Sequence, residues 1–96
     1  GTTLNITLSS GFGTTKAIAE VTRNSSNVVR VLKNGVSLGS GTGSGTFGFE
    51  QIGASSGASS LTTATIFEVV IFSSALSSAD ATKVRNDIAD RNSISL

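Results

Sequence analysis

The side chains able to do chemistry in this 96-residue chain are six acids, seven bases and 29 hydroxyls. The acids are Glu20, Glu50, Glu68, Asp80, Asp87 and Asp90. A glycosidase needs two carboxyl groups facing each other across a sugar. No two of these glutamates share the close, same-face spacing that would supply them, and the three aspartates cluster in a C-terminal stretch of helical period. Glu68, between Phe67 and Val69, is expected to face solvent or to pair with an arginine. A nucleophilic serine needs a base to take its proton. The chain has no His, so only Lys16, Lys33 and Lys83 are left for that task, and no motif joins one of them to a serine. Cys is also absent, which excludes disulfides, thiolate nucleophiles and zinc–thiolate sites. The loops hold too few acids for calcium. We therefore expect no enzyme, no cofactor and no metal.

Charge excludes other classes. The net charge is +1 and charged residues make up 14% of the chain. Lys16, Arg23, Arg30, Lys33, Lys83, Arg85 and Arg91 are dispersed, with no aromatics between them. Nucleic-acid affinity comes mainly from many phosphate contacts, so no nucleic-acid partner is expected. The apolar runs are too short to span a bilayer, so no membrane insertion is expected. Residues 43–48 spell G-x-G-x-x-G, but the glycines lead toward an expected strand rather than opening a helix. The match is read as an accident of composition.

Sugar binding is the remaining small-molecule chemistry. A sugar's apolar face stacks on an aromatic ring. Trp and Tyr are absent, which leaves Phe12, Phe47 and Phe49 as candidate glycan contacts from loops or loop-proximal positions. Each of the three also fits an ordinary core or strand position.

The elements that must position these groups are mostly strands. Leu4, Ile6 and Leu8 alternate with polar residues, the period of a half-buried strand. Ala17, Ala19 and Val21 face one way in the next segment, Ile18 and Glu20 the other. Asn24, Ser25, Ser26 and Asn27 form a polar turn. Val28–Lys33 reads as a strand. Asn34-Gly35 between Leu32 and Val36 marks a hairpin, because both residues tolerate the positive φ of a type I′ turn. Residues 37–60 are low in complexity, with seven Gly and seven Ser in 24 positions. Phe47, Phe49 and Ile52 place a strand at 46–53 between flexible loops. Residues 63–73 carry a nearly continuous apolar run, read as a strand buried on both faces or as the central strand of the core. Then the period changes. Ser77 suits a helix N-cap, with Asp80 at the third helical position. Ala81, Val84, Ile88 and Ala89 make an apolar stripe. Asp87 and Arg91 are four apart, the spacing of a helical ion pair. The helix is expected from about Ser78 to Asp90 or Arg91, closing one edge or end of a sandwich.

Several segments taken in order resemble a known family. Ile18 to Arg23, then Val29-Arg30-Val31-Leu32-Lys33-Asn34-Gly35-Val36, are similar to a strand pair of concanavalin A-like lectin/glucanase (laminin G-like) jelly rolls. Phe49-Glu50-Gln51-Ile52-Gly53 resembles a later strand of such modules. Phe67 to Phe72, Ala75-Leu76-Ser77 and the following helix resemble their usual ending. The likeness runs from about Lys16 to Arg91 and matches the C-terminal half of such domains. It implies a mainly β fold, an antiparallel β-sandwich of jelly-roll type with one short C-terminal α-helix, spanning 1–96 as one domain. The family's acidic catalytic strand has no counterpart here, so no catalytic residue carries over. Its usual tyrosines are replaced by Leu32, Phe72 and Ile88. The absence of Met, beside a match to a half-domain, leads us to expect a processed or partial chain.

Two functions fit these observations. The first is a non-catalytic structural module of a virion (a bacteriophage capsid or tail component) or of an extracellular surface filament. Open sheet edges and a low-charge surface suit a homo-oligomer or packing on other structural subunits. The second is a glycan-binding module of a secreted or phage surface protein. Both place the chain outside the cell or on a virion surface.

Overall fold

The computed structural model describes residues 6–43 and 65–96. It holds a three-stranded antiparallel sheet and one helix. Strands β1 (Ala19–Arg23), β2 (Val28–Lys33) and β3 (Val36–Thr42) follow one another in chain order and pair in that order, β1-β2-β3. Helix α1 spans Ser78–Asn92.

Both turns of the meander form for the reason their sequence suggests. Asn34 and Gly35 adopt φ of 49° and 85°, and Lys33 pairs with Val36 across them. Positive φ at both central residues gives the turn a twist that matches its flanking strands. Asn34 does more than turn the chain. Its N–H donates to the Ile18 carbonyl at 3.0 Å, and its Oδ1 accepts from the Ile18 N–H at 2.9 Å. The β2–β3 hairpin is thereby tied to the entry of β1. At the β1–β2 turn, Asn24 Oδ1 accepts from the N–H of Ser26 and of Val28, and Asn27 takes the left-handed φ of 62°.

The register between β2 and β3 slips after Val31. Val31 faces Gly39 and Leu32 faces Ser37, so Leu38 is the extra residue of a bulge. Leu38 is 9% exposed, and its carbonyl accepts the Ser9 N–H at 2.8 Å. The chain at 6–9 thus runs beside β3. Ile6 and Leu8 are half-buried and Thr7 is exposed, so the expected alternation holds. The expected strand itself does not form among the described residues of this segment; a single backbone bond to β3 is too little for a ladder. Leu4 lies outside the described residues.

Three other expectations need correction. Residues 37–42 are not the start of a loop: they continue β3 to Thr42. Glycine and serine there leave the pairing to the backbone, and the Asn-Gly turn sets it going. The strand expected at 46–53 lies outside the described residues. The apolar run is the larger surprise. Of residues 63–73, those at 65–73 form no strand and stand exposed. Hydrophobicity gives this run a tendency to be buried, but burial needs a covering surface, and among the described residues the run pairs with no strand. Finally, α1 does not close a sheet edge or end. It lies over the sheet face that carries Glu20 and Leu32, cross-strand partners in the register.

The helix ends follow their local chemistry. Ser77 Oγ accepts the Asp80 N–H at 3.2 Å, an N-cap with an acid near the positive end of the helix dipole. At the other end Ser93 is left-handed, and the Ile94 N–H donates to the Ala89 carbonyl at 2.9 Å. Ala81, Val84 and Ile88 are half-buried and Ala89 is buried, as the stripe required. The helix extends one residue past Arg91, to Asn92. Among the described residues the buried apolar side chains are Ile18, Leu38 and Ala89, at 8%, 9% and 4% exposure.

Candidate functional site

Among the described residues, two places gather polar side chains from distant parts of the chain. The first is a cleft of about 330 Å³ between the β1–β2 face and the start of α1. The register puts Glu20 opposite Leu32 and Thr22 opposite Arg30, so all four share the face beneath the helix. Arg85 reaches down from α1. Its Nε donates to Glu20 Oε1 at 2.9 Å and its Nη2 to Oε2 at 3.2 Å, a two-pronged pair. The two side chains keep only 17% and 20% of their exposure, so the pair is poorly screened by solvent. Arg23, at the end of β1, donates from Nη2 to Asn27 Oδ1 at 2.9 Å. Arg30 stays exposed, and among the described residues no carboxylate pairs with it. Val28, Leu32, Ala75, Leu76 and Ala81 supply the apolar part of the wall.

The second place ties the exposed run to the C-terminal end of α1. Glu68 accepts from Arg91 Nη2 at 2.6 Å and Nε at 3.3 Å, and from Asn92 Nδ2 at 2.9 Å. The Arg91 hydrogen bond, then that of Asn92, holds the Glu68 carboxyl below its usual pKa, and the Arg91 guanidinium is raised in turn. Glu68 therefore pairs with an arginine, as one of its two expected roles required. Arg91 turns to Glu68 rather than to the expected Asp87, which acts on it only through charge. Lys16 joins the same corner. Its Nζ lies 4.4 Å from the centre of the Phe67 ring and donates to the Asn92 carbonyl at 3.0 Å. A cation there faces both an aromatic quadrupole and the negative end of the helix.

Phe12 is half-buried and lines a shallow depression with Lys16, Ala17, Ala19 and Phe67. Phe47 and Phe49 lie outside the described residues, so the structure does not bring the three candidate glycan contacts together. Among the described residues no three His, Cys, Asp or Glu gather in a form able to hold a metal, and no described helix is long and apolar enough to cross a membrane. Sequence reading missed the Glu20–Arg85 pair, the Lys16–Phe67 stack and the arginines around the cleft. The opposite charges of Glu20 and Arg85 were visible, but 65 residues of chain separate them.

No protein family, curated protein or solved structure matches this chain. The likeness to concanavalin A-like modules rests on its sequence motifs alone. What the fold defines is a small, mainly β unit: a three-stranded antiparallel meander with one helix across a face.

Proposed function

We propose that this chain is a non-catalytic structural module that assembles with further copies of itself through the apolar run at 65–72. One observation carries the reading. Ile66, Phe67, Val69, Val70, Ile71 and Phe72 are all 43–63% exposed within seven residues. A contiguous apolar surface of this kind on a small protein marks an interaction site. Its charge pattern favours a second copy. Glu68 is the one charged residue of the run, and Arg91 and Asn92 of the same chain already hold its carboxylate. Two copies brought together here therefore meet without like-charge repulsion. The β-branched and aromatic side chains suit strand pairing, and a second layer built from such pairing would complete an antiparallel sandwich of the jelly-roll type that the motifs suggest. A repeating assembly on a virion or an extracellular filament is the setting in which this surface would be used.

Light scattering over a range of concentrations tests the reading. The chain is expected to gain mass with concentration, and Val70→Glu and Phe72→Glu to hold it monomeric. Both side chains are substantially exposed, so the hairpin amide signals of Asn34 and Gly35 should be unchanged in the variants. A chain that stays monomeric throughout overturns the proposal.

A glycan-binding module is the second reading. The observation favouring it is the placement of Phe12 and Phe67 along one open depression. A blank glycan array, with Phe12→Ala, Phe47→Ala and Phe49→Ala altering stability alone, ends it.

A further inference from the structure

We infer that the open edge of β1 receives the segment 69–72 of a second copy, which adds to the sheet as a further strand and joins copies head to tail. The inference rests on the assembly reading and names the surface that the apolar run meets.

The two edges of the sheet differ. β1 and β3 are its outer strands. β3 is guarded: it carries the Leu38 bulge, and the chain at 6–9 lies along it, with the Ser9 N–H on the Leu38 carbonyl and the Thr7 carbonyl close over Gly39. β1 has no such cover among the described residues. Ile18 directs both its N–H and its carbonyl to Asn34, on the β2 side. At the far end of β1 the Asn24 N–H points the same way, to the Val28 carbonyl. Backbone groups alternate between the two sides along an antiparallel strand. Those of Ala17, Ala19 and Val21 therefore point outward, and no described residue hydrogen-bonds to them. None of these residues is charged, and Val21, at 69% exposure, is the most exposed large apolar side chain among the described residues. An edge with no charge, proline or bulge at its outward positions is a template for another strand.

The segment 69–72 has the matching need. Its residues, Val69, Val70, Ile71 and Phe72, are β-branched or aromatic, uncharged, and 43–63% exposed. No backbone hydrogen bond joins them to another described residue. Within one chain the segment and the edge do not pair. The run is instead pinned just before this segment, Phe67 by Lys16 and Glu68 by Arg91 and Asn92. A depression of about 610 Å³ opens against Ala17 and Ala19, with Phe12 and Phe67 among its walls. An incoming strand finds backbone partners on the edge and apolar walls for its side chains, the two components of recognition by strand addition. Each copy offers one segment and one edge, and the two are different surfaces. The contact is therefore heterologous, and it repeats from copy to copy until a ring closes or a filament grows.

The test is light scattering on two variants of the full chain, alone and mixed. Val21→Lys blocks the edge and Val70→Glu blocks the segment. Both side chains are exposed, and the Asn34 and Gly35 amide signals report an intact hairpin in each variant. Each variant alone is expected to be monomeric. An equimolar mixture is expected to reach the mass of two chains and stop there, because one intact segment meets one intact edge. In that mixture, isotope-labelled Val70→Glu should gain hydrogen-exchange protection at Ala19 and Val21, while Ile18 and Glu20, which face β2, keep theirs. Ala19→Pro removes an outward donor at the first residue of β1 and spares the β2 ladder, so it should behave as Val21→Lys does. If Val21→Lys and Ala19→Pro assemble as the parent does, the edge is overturned and the assembly reading stands. Val70→Glu that pairs with itself, or a mixture that stays monomeric, also overturns the edge-and-segment contact. A parent chain that stays monomeric removes both readings.

Discussion

Glu20 on β1 and Arg85 on α1 meet in a two-pronged ion pair across 65 residues of sequence. It is the most enclosed charge pair among the described residues, and it fixes the helix to the sheet. Removing one partner leaves the other half-buried and unpaired, which is the costly case. Glu20→Gln is expected to lower stability by about 1–3 kcal/mol, the worth of hydrogen bonds to a charged group. Urea unfolding measures this directly. The double variant Glu20→Gln/Arg85→Met should cost less than the sum of the two single changes. Strict additivity would show that the pair does not couple the two elements.

Asn34 is expected to matter through its side chain as well as its backbone. Asn34→Gly keeps the positive φ and the backbone N–H bond to Ile18, but removes the acceptor of the Ile18 N–H. Ile18 is among the few buried side chains, so that N–H is poorly placed to find water. The expected loss is about 1 kcal/mol, with faster hydrogen exchange at Ile18. Unchanged exchange there would rule out the side-chain bond.

These two residues also mark what a sequence can reveal here. Asn34-Gly35 announces its turn because the cause is local: two adjacent residues that accept positive φ. Ser77, Asp80 and the stripe from Ala81 to Ala89 announce the helix for the same reason. Glu20 and Arg85 give no such signal. Their meeting depends on where the helix lands on the sheet, and no spacing rule encodes that. Residues 65–72 show the converse. Their composition states a need for burial but names no surface to cover them, and it suggested a central strand where the structure has an exposed run. Leu38 falls between the two cases. It lies in a Gly/Ser-rich stretch that looked like a loop, and a bulge turns it into core.

Glu68 makes part of the stability depend on pH. Its carboxyl is held below the usual carboxylate range by the hydrogen bonds of Arg91 and then Asn92. A carboxyl with a depressed folded pKa stabilises the fold above its unfolded pKa. That contribution fades as the pH drops through the folded value. Unfolding midpoints for the parent chain and Glu68→Gln should therefore differ at neutral pH and converge in acid. The neutral difference should shrink in high salt, since the pair is exposed. A difference that is constant across the pH range would show that the Glu68 charge has no part in it.

Ser77 should be replaceable only at a cost to the helix. Its Oγ accepts the Asp80 N–H, one of the donors that a helix start leaves without an internal partner. Ser77→Ala is expected to cost about 1 kcal/mol and Ser77→Asp to be nearly neutral. Thermal unfolding followed at the helix band decides it; equal midpoints for alanine and aspartate would show that the cap contributes nothing.

Gly39 tests whether the chain at 6–9 truly lies against β3. A Cβ at Gly39 would come within 2.6 Å of the Thr7 carbonyl oxygen and 3.1 Å of Ile6 Cγ2. The first is backbone, with no flexible end to swing aside. Gly39→Ala must therefore push the segment off the strand, which also stretches the Ser9–Leu38 hydrogen bond. Overpacking of this kind costs about 1–3 kcal/mol. Gly11 provides the control: nothing lies within 4 Å of its Cβ position. Gly11→Ala should stay within about 0.5 kcal/mol of the parent. Hydrogen exchange at Ser9 separates the causes, because a displaced segment loses protection there while the hairpin keeps its own. If both alanine variants unfold alike and Ser9 stays protected, the close approach of Thr7 to Gly39 does not exist in solution.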